Sequence, residues 1–321
     1  MDIDIILENL SNPALLFFVL GLLAVGLKSD LEIPPTSSRF ISIYLLFAIG
    51  FKGGQELAHS HLSIDIFAQI GFGILLAVVV PIGLFFILRL KLNVWDSGAV
   101  AAAYGSISAV TFLTAVSFLE IQGVTFGGHM VAMMALMEAP AIVIGIMLIH
   151  FFDKEGQTGS SLSKVVKHAF TNGSVLLILG SLVIGFLASE KQARGIEPFT
   201  TDIFKGFLAI FLLDMGIISG RKLKGFLQNS RFVLIFAMVV PLVIGSAVAI
   251  LTKWVSPDPG DRFLFAVLAA SASYIAVPAT MKVAEPRANP GIYLPMALAV
   301  TFPVNITLGI PIYFELVRIF S

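Results

Sequence analysis

The chain has 321 residues, 57% of them hydrophobic and only 12% charged, with 28 phenylalanines and a formal net charge of +0. Soluble domains carry about 25% charged residues, so this composition, with a mean hydropathy of +0.97, excludes a water-soluble globule, and the balanced charge speaks against a nucleic-acid partner. The absence of cysteine excludes disulfides, thiol chemistry and cysteine-ligated metals.

Apolar runs recur along the whole length, each near the ~20 residues that a helix needs to cross the hydrocarbon core. They are solidly apolar rather than alternating, which excludes a β-barrel. The expectation is an all-α integral membrane protein in a lipid bilayer. The opening MDIDIILENLSNP places Asp2, Asp4 and Glu8 where a signal peptide would be basic, so insertion is expected to use the first span itself. In chain order, ten spans are expected near 13–27, 36–53, 64–89, 97–119, 125–152, 172–189, 201–220, 231–254, 262–284 and 291–319. The one sizeable polar connection, DKEGQTGSSLSKVVKH (153–168), falls between spans five and six. This divides the chain into a first repeat over 1–152, a connecting loop over 153–170 and a second repeat over 171–321.

Internal similarity supports the division. YLLFAIGFKGGQEL (44–57) aligns with IFLLDMGIISGRKL (210–223), matching Gly50 with Gly216 and Gly54 with Gly220 at an offset of 166. AVAAAYGSISAV (99–110) aligns with AVLAASASYIAV (266–277), matching Ser106 with Ser273 at 167. Five spans per half is odd, so the second half enters the membrane upside down, which makes an inverted repeat. Counting Lys and Arg on alternate sides gives thirteen against seven in favour of both termini outside and the 153–168 loop in the cytoplasm.

The fourth span contains AAAYGSISAVTF (101–112) and the ninth LAASASYIAVPATMK (268–282). Small residues, hydroxyls and Pro278 at matching depth predict two helices broken at midplane. Breaks at equivalent positions of two halves point to a transporter's binding site, and two converging helix N-termini suit an anion. The plainer alternative is helix packing through small residues. Glu138 lies mid-span in the fifth helix beside Pro140, and Thr301 and Asn305 stand at comparable depth in the tenth. A carboxylate with hydroxyl and amide oxygens is hard-cation chemistry that suits sodium, the alternative for Glu138 being a protonated packing partner. Asp214, near the end of the seventh span, is expected to pair with a nearby Lys or Arg. His59, His61, His129, His150 and His168 make no ligand spacing. Neither a phosphate-binding loop nor a nucleophile elbow is present, so no enzyme activity and no cofactor are expected, and sodium would serve as the coupling ion.

GSISAVTF (105–112), MEAPAIV (137–143), ASASYIAVPA (270–279) and EPRANPGIYLPMALAVTFPVNITLGIPIY (285–313) resemble the signature segments of the sodium-dependent bicarbonate transporter family. The resemblance spans essentially the whole chain and is to the broader bacterial group rather than to the cyanobacterial members. It implies a core domain and a gate domain, a homotrimer in the bacterial plasma membrane, sodium-coupled bicarbonate uptake, and often a PII-like regulatory protein at the cytoplasmic loop. By position it places the substrate at Gly105, Ser106, Ser108 and Thr111 in the fourth span and at Ser271, Ser273 and Tyr274 in the ninth. Cyanobacterial members have an acidic residue where this chain has Tyr274, and Asp where it has Glu138. Tyr274, with Val110 and Phe112, leaves a small organic carboxylate as an alternative substrate, and an anion channel as a further alternative.

Overall fold

The computed structural model describes residues 12–59, 64–153, 173–226 and 231–320. Among them the chain is helical throughout, without strands. In order the helices are α1 (Pro13–Gly26), α2 (Pro35–His59), α3 (Ile64–Leu88), α4 (Val94–Gly105), α5 (Ala109–Ile121), α6 (His129–Phe152), α7 (Gly173–Leu187), the short α8 (Glu190–Arg194), α9 (Phe204–Phe226), α10 (Arg231–Leu251), α11 (Pro259–Ala270), α12 (Ala276–Ala284) and a long run, α13 (Pro290–Ile319). Inside α13 the backbone widens to π geometry over Met296–Thr301 and Asn305–Gly309. Apart from Asp153, the 153–168 loop lies outside the described residues, and with it the expected docking place of a PII-like protein.

Several starts follow from one local device. Asn12, Asn93, Asp258 and Asn289 each turn a side-chain oxygen onto a backbone N–H of the first turn, and three of the four are followed by proline at the first helical position. The side chain takes over an N–H that the helix cannot satisfy, and proline has none to lose.

Among the described residues six stretches are long and apolar enough to cross a membrane: Ile64–Leu88, Val94–Ile121, His129–Phe152, Pro198–Leu223, Arg231–Trp254 and Pro290–Ile319. The other four of the ten expected segments are helical but fall short of that criterion. Helices α1 and α7 have 14 and 15 residues, α2 carries Arg39, Lys52 and Glu56 within its 25, and the ninth segment is divided into pieces of 12 and 9. The chain is a multi-pass membrane protein whose apolar surface is on the outside as well as within. Ile64, Phe67 and Val243 are exposed on α3 and α10, where water would penalise them and lipid does not.

Packing sorts the helices into two bundles. In the first, α1 lies along α9 and α2 along α7. Glycines make these approaches close: a Cβ on Gly21 would strike the Leu213 carbonyl, one on Gly216 the Phe18 carbonyl, one on Gly54 the Leu182 carbonyl and one on Gly185 the Phe51 carbonyl. Small residues of this kind let membrane helices bring their backbones together, where dispersion replaces the missing hydrophobic drive. In the second bundle α3 packs on α4 and α6, α4 on α6, and α10 on α11 and α13. Its centre is the pair of interrupted helices, with 94% of the Val94–Ile121 window buried against 28% for α3.

Candidate binding site between the bundles

Both expected interruptions are present. The first falls between α4 and α5, where Ser106 leaves the helix at φ −85°, ψ 173° and Ser108 restarts it as an N-cap. The second falls between α11 and α12, where Ser271 leaves at φ −80°, ψ 166°. The two helices that end there begin at Val94 and Pro259 and stop at Gly105 and Ala270, each pair 165 residues apart. Ser106 is therefore the positional counterpart of Ser271, not of Ser273 as the 167-residue alignment had it. Small apolar residues on both sides inflated the identities at 167, while the 165 register matches Ser106 with Ser271 and Ser108 with Ser273.

The breaks cross and hold each other. Ser108 N–H donates to Ser271 Oγ at 2.9 Å, Ser271 Oγ donates onward to the Leu268 carbonyl at 2.9 Å, and Ser273 N–H donates to the Ala103 carbonyl at 2.8 Å. Backbone freed at membrane depth is thus partly satisfied by the opposite break. The first-turn N–H groups of Ala109 and Val110 in α5 and of Ala276 in α12 have no acceptor within their own helices. These ends are where a helix carries its partial positive charge.

Against this crossing lies a cavity of about 40 Å³, several times the ~10–15 Å³ that one water centre needs. Its polar wall includes Ser108, Ser273, Tyr274 and Glu138 from the broken-helix bundle. Its opposite wall is Ser42, Leu45 and Leu46 of α2, Ile178 of α7 and Phe211 of α9. Glu138 is buried, and among the described residues nothing pairs with its carboxyl. The Tyr274 hydroxyl is buried beside Ser108 without a well-formed hydrogen bond. Ile275 and Ala276 of the second break line the cavity as well. Ser42, Leu46 and Ile275 are shared with a groove of about 1240 Å³ that runs between α2, α7 and α9 toward Glu32, Gly173 and Arg221.

The other expected site residues stand behind the wall. Gly105 abuts Pro81 of α3, whose Cδ would lie 2.5 Å from an added Cβ, so this glycine serves close packing of α4 on α3. Ser106 Oγ is buried without a hydrogen-bond partner. Thr111 N–H donates to Ser108 Oγ at 3.2 Å, inside the first turn of α5. Thr301 and Asn305 do not line the cavity with Glu138. Thr301 Oγ1 donates to the Ala237 carbonyl at 2.7 Å and sits 2.6 Å from Tyr104 Oη. Asn305 Nδ2 donates to the Ala270 carbonyl at 2.7 Å, and its Oδ1 accepts from Tyr313 Oη at 2.9 Å. Asn305 therefore satisfies the last carbonyl of α11, one of those a helix end leaves open. Asp214 accepts from Ser38 Oγ at 2.5 Å and also feels the charge of Arg221, the nearby basic residue, which lines the same groove and pairs directly with Glu32 at 3.5 Å.

Sequence reasoning missed the α2, α7 and α9 wall. Leucine, isoleucine and phenylalanine facing a cavity are indistinguishable in sequence from the same residues facing lipid. The only available signal was the glycine spacing around Gly50 and Gly216, which marks these helices as closely packed. Among the described residues no group of three or more His, Cys, Asp or Glu is arranged to hold a metal ion. The family model described as the Na+-dependent bicarbonate transporter superfamily matches residues 13–318. No curated protein matches the chain.

Proposed function

Because the chain belongs to the Na+-dependent bicarbonate transporter superfamily, we propose that it is a secondary active transporter for sodium-coupled uptake of bicarbonate or a similarly small monoanion. The observation that carries the reading is the cavity at the crossing of two broken helices, walled by Ser108, Ser273 and Glu138 and lined by the first residues of α5 and α12, Ala109, Val110 and Ala276. An anion there meets backbone N–H donors and two hydroxyls without a fixed guanidinium or ammonium to hold it permanently. The carboxylate of Glu138 lines the same space and would be held ionised by a cation, so joint occupancy by anion and sodium is cheaper than occupancy by either alone. In this reading Thr301 and Asn305 act from behind the wall, Asn305 by fixing the end of α11.

The ten-span inverted repeat belongs to the same proposal. It is supported by the equal spacing of the two broken helices and by the exchange in which α1 packs on α9 and α2 on α7. The residues that face the cavity from α2, α7 and α9 would form the moving gate, and a homotrimer in the bacterial plasma membrane with both termini outside completes the picture.

The deciding experiment is uptake of labelled bicarbonate into proteoliposomes with and without an inward sodium gradient. Saturable uptake that collapses without sodium supports the proposal; gradient-independent flux that does not saturate would indicate a channel. The apolar wall of Leu45, Leu46, Ile178 and Phe211 favours one second reading, a small organic carboxylate. Competition by short-chain carboxylates stronger than competition by bicarbonate would select it.

A further inference from the structure

We propose that Lys52, Glu120 and Lys205 form the gate that closes the binding cavity toward one face of the membrane. The inference rests on the transport reading above and concerns a step it leaves open, namely what seals the cavity on the side away from the groove.

Helices α2 and α9 give the same order of features, and α5 runs from the cavity to the same end. Along α2, Ser38 and Ser42 line the groove, Leu45 and Leu46 the cavity, and Lys52 comes two turns later. Along α9, Arg221 and Asp214 line the groove, Phe211 the cavity, and Lys205 lies at the opposite end. Along α5, Ala109, Val110 and Leu113 line the cavity, and Glu120 follows seven residues on, about 10 Å at 1.5 Å per residue. The three side chains meet there. Lys52 Nζ is 2.7 Å from Glu120 Oε1 and Lys205 Nζ 3.2 Å from Glu120 Oε2. The carboxylate comes from the broken-helix bundle and both ammoniums from the other, so the triad ties the two bodies across their seam.

What lies on either side of the triad fixes its role. Beneath it, Ala48, Ile49, Val116 and Phe204 are buried and enclose a gap of about 10 Å³, too little for more than one water. Above it a funnel of about 450 Å³ opens between α2, α8 and the turn before α9, and Lys52, Thr200 and Thr201 line both the funnel and the gap. Funnel, triad, plug, cavity and groove are thus in series, closed at the triad and continuous at the groove. Glu120 is 28% exposed, Lys52 34% and Lys205 59%; pairs this open to solvent are individually weak, which suits a contact that must break in every transport cycle.

The chain contains no cysteine, so the test needs no background removal. Ser42→Cys places a single thiol at the junction of cavity and groove. A membrane-impermeant cationic methanethiosulfonate is applied to right-side-out and to inside-out vesicles. With the gate intact, the introduced thiol should label from the Glu32 and Arg221 face. Adding Glu120→Gln should raise its labelling rate from the Lys52 face about three- to tenfold, because two weak ion pairs no longer favour the closed form. The Lys52→Met and Lys205→Met pair should do the same in a chain whose Glu120 is intact, which guards against a folding defect peculiar to one variant. Unchanged labelling from the Lys52 face in both variants overturns the gate. If labelling changes while wild-type uptake proves independent of sodium or bicarbonate, the gate stands and the substrate assignment falls.

Discussion

Ser106 and Ser271 end equivalent helices 165 residues apart, yet their side chains differ in what they do, and replacing each by alanine measures the difference. Ser271 Oγ accepts the buried N–H of Ser108 across the break. Its loss leaves that N–H without a protein partner, at a cost of about 1–3 kcal/mol. The Leu268 carbonyl loses only one of two donors, since Ser271 N–H still reaches it at 3.3 Å, so little is added there. Ser106 Oγ has no partner, and its removal costs no hydrogen bond. Both residues are buried, and a hydroxyl-to-hydrogen change creates almost no void. Ser271→Ala should therefore lower thermal stability in detergent by about 1–3 kcal/mol, and alter anion binding only through the loosened hold on Ser108, which lines the cavity. Ser106→Ala should leave stability at the wild-type value. Thermal unfolding and sodium-dependent bicarbonate binding, measured on both variants in one detergent, provide the check. Equal destabilisation by the two substitutions, or a Ser271→Ala protein indistinguishable from wild type, would refute the assignment of the cross-break bond.

Gly105→Val should reduce the yield of folded protein sharply, because Pro81 occupies the space that its side chain needs; normal size-exclusion behaviour and yield would contradict this. Glu138→Gln removes the one carboxylate that lines the cavity while keeping its shape, so the half-saturating sodium concentration for uptake should rise more than that for bicarbonate. Unaltered sodium dependence would take Glu138 out of the coupling site. Asn305→Leu unsatisfies the Ala270 carbonyl and strips Tyr313 of a partner, and should cost about 1–3 kcal/mol of stability, read as a lower unfolding temperature without a selective change in sodium dependence. Shortening residues 154–168 to a flexible linker should leave basal uptake unchanged; a PII-like partner, if one acts there, should lose its inhibition of uptake.

The positions of the helices were legible because apolar length and punctuation by Asn-Pro, Asp-Pro and Gly are local properties. The two breaks were legible for the same reason: Gly105, Ser106, Ser271 and Pro278 are poor continuous-helix material wherever they occur. What each side chain does at the break was not legible. Ser271 binds backbone, Ser106 binds nothing in the protein, and Asn305 turns to Ala270 rather than toward Glu138; these outcomes depend on how two segments separated by more than 150 residues cross. The cavity's far wall was hidden for a related reason. Leu45 and Phe211 face it because α2 and α9 lie against the broken-helix bundle, and nothing in an apolar run states which face meets protein.

Two further carboxylates explain why the crossing can act as one body. Asp96, in the first turn of α4, accepts the Asn289 N–H at 2.7 Å and is also held by Asn93 at 2.6 Å. Asp261, 165 residues later in the first turn of α11, accepts the Gly127 N–H at 2.7 Å. Each broken helix is thereby fastened at its outer end to the loop that enters α13 or α6 of the other half, and at its inner end to the opposite break through Ser108 and Ser271 or Ser273 and Ala103. Charge-assisted bonds at one end and buried backbone bonds at the other leave little freedom between the halves within this bundle. Against α2, α7 and α9, by contrast, the cavity meets mainly Leu45, Leu46, Ile178 and Phe211, apolar surfaces without directional bonds. Relative motion of the two bundles is therefore cheapest along that seam, where few directional bonds cross: those of Glu120 to Lys52 and Lys205 and that of Ser219 Oγ to the Leu298 carbonyl at 2.9 Å.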